Sequence, residues 1–246
     1  MADLNLEIIK DRLEKKYNGD DIKTKLAEQS IEYVFKKSKE MKKNKATGRH
    51  ELAYNLNTTF VYQSIIECID QGFALDGINF VLSGSNMYMP TYHAFKNKLY
   101  QTYQDSVIDL QLIRDGDEYS FAKESGSTVY SHTIADPFSI VESKIKGAYC
   151  IIKNSRGEFI EFLNATDYKK MRDSSKQPFL WDKWESEFWK KSVIKRACKT
   201  HFHDITEKLD SKDNEVIGLS ELVKADQETK SAIIEAKKAQ LNAESN

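Results

Sequence analysis

Between Val107 and Phe162 the chain carries the pattern that most narrows its choice of fold: apolar and polar residues alternate, interrupted by short turn signals. Val107-Ile108-Asp109-Leu110-Gln111-Leu112-Ile113 alternates, Asp115-Gly116 turns the chain, and Glu118-Tyr119-Ser120-Phe121 starts back. A second hairpin joins Lys146 to Lys153 with Glu158 to Phe162 through Asn154-Ser155-Arg156-Gly157. A period of two places one side-chain set on each face of a strand, and Asp-Gly or Asn-x-x-Gly between such runs closes a hairpin. The reading predicts two consecutive hairpins in an antiparallel sheet, with Thr128 to Thr133 as an edge strand.

Helical periodicity surrounds this middle. Leu6, Ile9 and Leu13 predict a helix from Asp3 to about Tyr17, and Leu26, Ala27, Ile31, Val34 and Phe35 predict another from Ile22 to about Lys45. The second runs into the basic tract Lys36, Lys37, Lys39, Lys42, Lys43, Lys45, Arg49, expected as a mobile, solvated end. Further helices are expected from Thr58 or Thr59 to Gln71, from Pro90 to Tyr103, from Thr166 to Asp173 and from about Trp184 to His203. Ile78 to Leu82 and Met87 to Met89 read as short strands. From Glu207 the chain is polar and aperiodic before a weakly apolar helix candidate at 219–242.

The expected class is α+β: a central antiparallel sheet of hairpins flanked by helices, with a helical N-terminal region and a separable acidic C-terminal segment. The expected organisation is N-terminal helices over 1–50, an α+β core over 51–205, and a linker with a helical tail over 206–246. A chain of 246 residues can bury one sizeable core. Cys68, Cys150 and Cys198 are too widely spaced for a disulfide framework or a CxxC knuckle, which suits a reducing compartment. No stretch approaches the roughly 18 apolar residues of a membrane span. The expectation is a cytoplasmic protein without membrane contact.

The net charge of −1 conceals a local excess. From Lys169 to Lys199 ten basic residues, Lys183 among them, face four acidic ones. On a helix of 100° per residue, Lys191, Lys195 and Lys199 share one stripe and Trp189, Val193 and Ala197 the opposite one. Ammonium groups a helical turn apart suit a polyphosphate, and Trp181, Trp184, Phe188 and Trp189 interleave with them as candidate platforms for unpaired bases. The same features also describe a solvated helix face and an aromatic core.

No phosphate-binding GxxxxGK[ST] loop, GxSxG elbow or HExxH helix is present, so neither ATP hydrolysis nor those hydrolytic chemistries are expected. Cys198, His201 and His203 lie close together but lack a fourth zinc ligand. No cofactor is expected. Two other readings stay open: a Mg²⁺-dependent nuclease using Asp117, Glu142 and Lys144, and an oligomeric structural protein that never touches DNA.

Several segments resemble, in order, the RecT/Redβ family of phage single-strand annealing proteins. Asp70-Gln71-Gly72-Phe73-Ala74-Leu75 is similar to the family's "A-x-x-L-G-L" helix end, and Pro90-Thr91-Tyr92-His93-Ala94-Phe95 to its "P-x-Y-x-G" helix start, with Ala94 in place of glycine. Arg114 to Phe121 resembles "GDxFxY", Lys146-Gly147-Ala148-Tyr149 with Lys153 and Gly157 resembles "G-A-Y-A…K…G", and Ser174-Ser175-Lys176 falls at "SK". Trp184 followed by Glu187 to Lys199 is similar to "W…E-M-x-x-K-T-V-I-R-R-x-x-K", with Phe188 and Ser192 for Met and Thr. The match spans about Thr58 to His203.

The resemblance implies a non-catalytic, ATP-independent protein of phage-type homologous recombination, acting in the bacterial host cell. It would bind single-stranded DNA and nascent duplex and assemble into rings or helical filaments through its N-terminal helices. Lys190, Lys191, Lys195, Arg196 and Lys199 would hold phosphates, with Lys183 and Trp184 beside them. Lys176 and Lys153 would extend the groove, and Tyr92 or Lys96 would line its other wall. The C-terminal tail would dock a phage exonuclease or the host single-strand binding protein.

Overall fold

Side-chain caps start most of the helices. Asn5 accepts from the Ile8 amide, Asp20 from Lys23 and Asn57 from Phe60, each satisfying one of the donors that a helix start leaves unpaired. A computed structural model of the chain describes residues 4–44, 46–84, 87–124, 127–137, 144–175 and 177–214. In chain order its elements are α1 (Leu6–Tyr17), α2 (Asp21–Ser38), β1 (Met41–Lys43), β2 (His50–Leu52), α3 (Thr58–Asp70), β3 (Phe80–Gly84), β4 (Met87–Pro90) and α4 (Tyr92–Thr102). There follow β5 (Val107–Arg114), β6 (Glu118–Glu124), β7 (Ser127–Thr133), β8 (Ile145–Asn154), β9 (Gly157–Asn164), α5 (Ala165–Ser174), α6 (Pro178–Lys183), α7 (Glu185–His201) and α8 (His203–Asn214). The fold is α+β with antiparallel sheets, as the alternation and periodicity predict. The helix candidate at 219–242 lies outside the described residues.

The central sheet has the order β5-β8-β9, and both of its faces are covered. Ala148, Cys150 and Ile152 of β8, Ile108 of β5 and Leu163 of β9 turn toward the main core, which they share with Trp189, Val193, Ala197 and Cys198 of α7. The same core takes in Ile9, Leu13 and Val34 of the N-terminal helices. Tyr149, Ile151 and Ile113 face the other way, onto Phe121 and Tyr130 of the β6-β7 pair. The Phe121 ring stands edge-on to Tyr149 at 5.4 Å and to Phe162 at 4.5 Å.

Three expectations are corrected here. The runs flanking Asp115-Gly116 do not pair with each other: β5 pairs with β8, and β6 pairs with β7. Gly116 does turn the chain, at φ +92°, but the Asp115 amide bonds to the Lys144 carbonyl instead of closing a two-residue hairpin. Asp117 accepts from the Arg114 and Ala135 amides, which sends β6 into a second layer. The basic tract is exposed at its strand residues, as expected, but it does not continue the helix: α2 ends at Ser38 with Lys36 and Lys37 in its last turn, Lys42 and Lys43 lie in the β1-β2 hairpin, with Met41 opposite Leu52 and Lys43 opposite His50, and Lys45 lies outside the described residues. The polar stretch from Glu207 continues a helix, since α8 buries Ile205, Thr206 and Leu209.

Candidate nucleic-acid interface

α5, α6 and α7 are held together by aromatic rings and one guanidinium. Tyr168 of α5 stacks on Trp189 of α7 with centroids 4.1 Å apart and planes 2° apart, and Trp181 of α6 stacks on Phe188 at 4.6 Å. Tyr168 is buried, and burial together with the carboxylates of Glu185 and Asp182 pushes its phenol well above the ordinary value. Arg172 grips Asp182 with two bonds of 2.7 Å, Nε to Oδ1 and Nη2 to Oδ2, and donates from Nη1 to Asp173 at 2.7 Å. That bidentate geometry holds the Asp182 carboxyl below the usual carboxylate range.

Between these helices lies a cavity of about 590 Å³. Lys191, Lys195, Arg196 and Lys199 line it together with Trp181 and Phe188, and among the described residues no carboxylate lines it. Phe188, Lys191, Ser192, Lys195, Arg196, Lys199 and Thr200 form an i, i+3, i+4, i+7 seam along one side of α7. The lysine stripe does not run evenly along a solvated surface. Lys191 is only 9% exposed, Lys195 half-buried and Lys199 exposed, so the ladder rises from the inner wall to the mouth. The Lys191 ammonium lies 5.9 Å from the centre of the Phe188 ring, where the ring face favours a cation. A concave wall of one charge sign, backed by low-dielectric aromatic carbon, concentrates the field on an entering anion.

Arg196 carries a structural duty as well. Its Nη1 donates to the Phe162 carbonyl at 2.9 Å and its Nη2 to Asp167 at 3.1 Å, tying α7 to the end of β9 and the first turn of α5.

The other expected residues are not brought to this cavity. Lys190 lies over the Tyr92 ring at 5.1 Å and pairs with Glu187 at 3.4 Å, so it joins α7 to α4. Tyr92 packs against His93 at 4.0 Å, and burial raises its phenol. Lys96 sits near the Tyr100 ring at 5.9 Å. Lys153 shares the face of Tyr149 and Ile151, beside Tyr130 at 5.6 Å and Glu158 at 3.2 Å, on the side of the sheet away from α7. Lys183 lies over Trp184 at 5.4 Å, and Trp184 is 53% exposed at the break between α6 and α7. Lys176 lies outside the described residues. Sequence reasoning gave no site role to Ser174, Ser175, Ser192 and Thr200, hydroxyls that line the cavity. Extending the α7 seam by i+3 and i+4 from Phe188 would have found the last two.

The carboxylate expected in a nuclease is otherwise engaged. Asp117, with its side chain 4% exposed, accepts from two backbone amides and lies 3.1 Å from His132 Nε2, while the other His132 nitrogen is 3.2 Å from the Tyr149 hydroxyl. Glu142 lies outside the described residues. Among the described residues no group of three or more metal-ligating side chains comes together. Cys198 is buried, which pushes its thiol well up, and His201 Nε2 lies 3.2 Å from Glu161. No described helix is long and apolar enough to cross a membrane.

A sequence model of the RecT family matches residues 81–234. No curated protein and no solved structure matches the chain.

Proposed function

Because the chain belongs to the RecT family, we propose that it binds single-stranded DNA at the basic cavity beside α7 and anneals complementary strands without hydrolysing a nucleotide. Family membership supports single-strand annealing in phage-type recombination, with DNA binding and oligomerisation. The observation that carries the residue-level reading is the convergence of Lys191, Lys195, Arg196 and Lys199 with Trp181 and Phe188 on one cavity. Ammonium and guanidinium groups neutralise phosphates without regard to sequence, while aromatic faces reward unpaired bases, by about 1–3 kcal/mol per base.

Annealing makes and breaks no covalent bond, so this reading needs neither nucleotide nor metal. Residues 1–50 supply subunit contacts and 51–205 the DNA-binding core, which Thr206 and Leu209 of α8 join by burial, and the rest of the segment 206–246 docks a recombination partner such as an exonuclease or a single-strand binding protein. The place of action is the cytoplasm of the bacterial host.

The test follows annealing of two complementary fluorophore-labelled oligonucleotides without nucleotide, across a salt series, with wild type and a Lys195→Ala, Lys199→Ala variant. Wild type accelerates annealing and the variant loses most of that acceleration. No acceleration by wild type at any salt overturns the proposal, and shortening of a labelled strand on adding Mg²⁺ replaces it with nuclease chemistry.

A further inference from the structure

α1 and α2 leave between them an open cavity of about 600 Å³. Leu13, Ala27, Ile31 and Phe35 give it apolar walls, and Phe35 is 45% exposed. Around these walls stand Glu7, Glu14, Glu28 and Glu32 and, among the described residues, a single lining cation, Lys10. Two of the carboxylates have exposed helical partners, Glu14 with Lys10 at 3.8 Å and Glu32 with Lys36 at 3.0 Å. Such solvated pairs contribute little and exchange readily. The Phe35 ring already receives one ammonium of its own chain, Lys39 at 3.6 Å. The lining is complementary to an apolar segment that carries positive charge.

The same chain displays such a segment. All six strand residues of the β1-β2 hairpin are exposed, with Met41 at 54% and Leu52 at 55%. Alternation puts Met41 and Lys43 on one face, and the register places Leu52 and His50 directly beside them. That face is therefore an apolar pair followed by basic groups. Arg49 adds positive charge at the turn, while the only strand carboxylate, Glu51, sits on the opposite face, 3.6 Å from Lys42. An isolated two-stranded hairpin is marginal in water, and its open edges invite a partner.

We propose that the β1-β2 hairpin of one copy docks, by its Met41-Lys43-His50-Leu52 face, into the α1-α2 groove of the next. The two surfaces differ, so the contact is head-to-tail and repeats into a ring or a filament. The proposal gives surfaces to the oligomerisation that family membership implies and does not depend on where DNA binds.

The test is the mass of the full-length protein in solution, without DNA, at low salt, using substitutions at exposed positions. A groove variant, Glu28→Lys with Glu32→Lys, and a hairpin variant, Lys43→Glu with Arg49→Glu, each fall to one-chain mass with unchanged circular dichroism. Combining all four changes restores the complementarity with its signs exchanged and recovers the assembly. Wild-type mass retained by either single-surface variant, failure of the combined variant to recover, or a wild type that is always monomeric overturns the proposal. In a Glu32→Cys, Lys43→Cys variant, oxidation yields a ladder of covalent multimers. Closure within one chain only, or a groove protected by residues 215–246 in a monomer, assigns another occupant and overturns it. Lost annealing with intact assembly bears on the DNA cavity alone.

Discussion

Trp181 lies over Phe188 with ring centroids 4.6 Å apart and planes 28° apart, and this stack joins a helix of six residues to the first turns of α7. α6 fully buries no residue of its own; that stack, the Trp181 ring beside Tyr168 at 5.3 Å, the partly buried Leu180 and the Arg172-Asp182 pair hold it in place. The basic cavity thus has one long wall, α7, and one short wall, α6.

Removing Lys195 and Lys199 together is expected to weaken binding of an oligo-dT strand uniformly with respect to sequence. Each phosphate contact on a single strand contributes roughly 0.7 to the slope of log K against log salt. The double alanine variant should therefore be shallower by about 1.4, read by fluorescence anisotropy. An unchanged slope would place the phosphates elsewhere.

Arg196 should behave differently from its lysine neighbours, because its guanidinium bonds to Phe162 and Asp167 at a site about one-third exposed. Arg196→Ala is expected to lose about 1 kcal/mol in urea unfolding as well as DNA affinity. Arg196→Lys should keep most of the salt slope yet recover little of the stability, since one ammonium does not reproduce the two-pronged contact. Equal stability in both variants and the wild type would show that the tie contributes nothing.

Asp117 should make stability pH-dependent in a defined window. Burial alone would raise its carboxyl, but the amides of Ala135 and Arg114 and the His132 ring outweigh it and hold the folded-state value below the ordinary one. A lowered folded value means that the contribution is complete above the unfolded value of about 3.9 and fades as pH falls through the folded one. Asp117→Asn should cost about 1–3 kcal/mol at neutral pH, with the deficit shrinking below about pH 4. A deficit independent of pH would mean that the charge is irrelevant.

Gly77 has φ +82°, and a Cβ built on it would lie 2.6 Å from Cε2 of Tyr33, whose hydroxyl accepts from the Leu82 amide at 3.2 Å. Gly77→Ala should cost about 1–3 kcal/mol, combining left-handed backbone strain with displacement of that ring. Adding Tyr33→Ala to it should cost less than the sum of the two single changes, by thermal melts of all three variants. Strict additivity would separate the glycine from the ring.

What could be read from residues alone was what short range decides. The Asn154 to Gly157 turn is closed by adjacent residues, and β8 pairs with β9 across it as expected. α3 begins at its Asn57 cap and spans Thr58–Asp70, within one residue of the span expected from Thr58 or Thr59 to Gln71. The α7 stripe of Trp189, Val193 and Ala197 is buried as its period requires. The Asp115-Gly116 turn misled because a turn sets where a chain reverses, not which strand receives it. β5 finds a better partner in β8, whose two faces are both buried, and that preference is a contact between segments far apart in the chain.

The sequence by itself determined the α+β class, most helices, the strand faces and the placing of positive charge along α7, because these follow from local geometry and periodicity. Only the tertiary structure decided that Lys191, Lys195, Arg196 and Lys199 share a cavity with Trp181, while Lys153 faces away across the sheet and Lys190 joins Tyr92. Charge has no period that reveals what it will face. Which side of a helix becomes a wall depends on the segments that pack beside it, and here those are α5 and α6, positioned by stacked rings and one arginine.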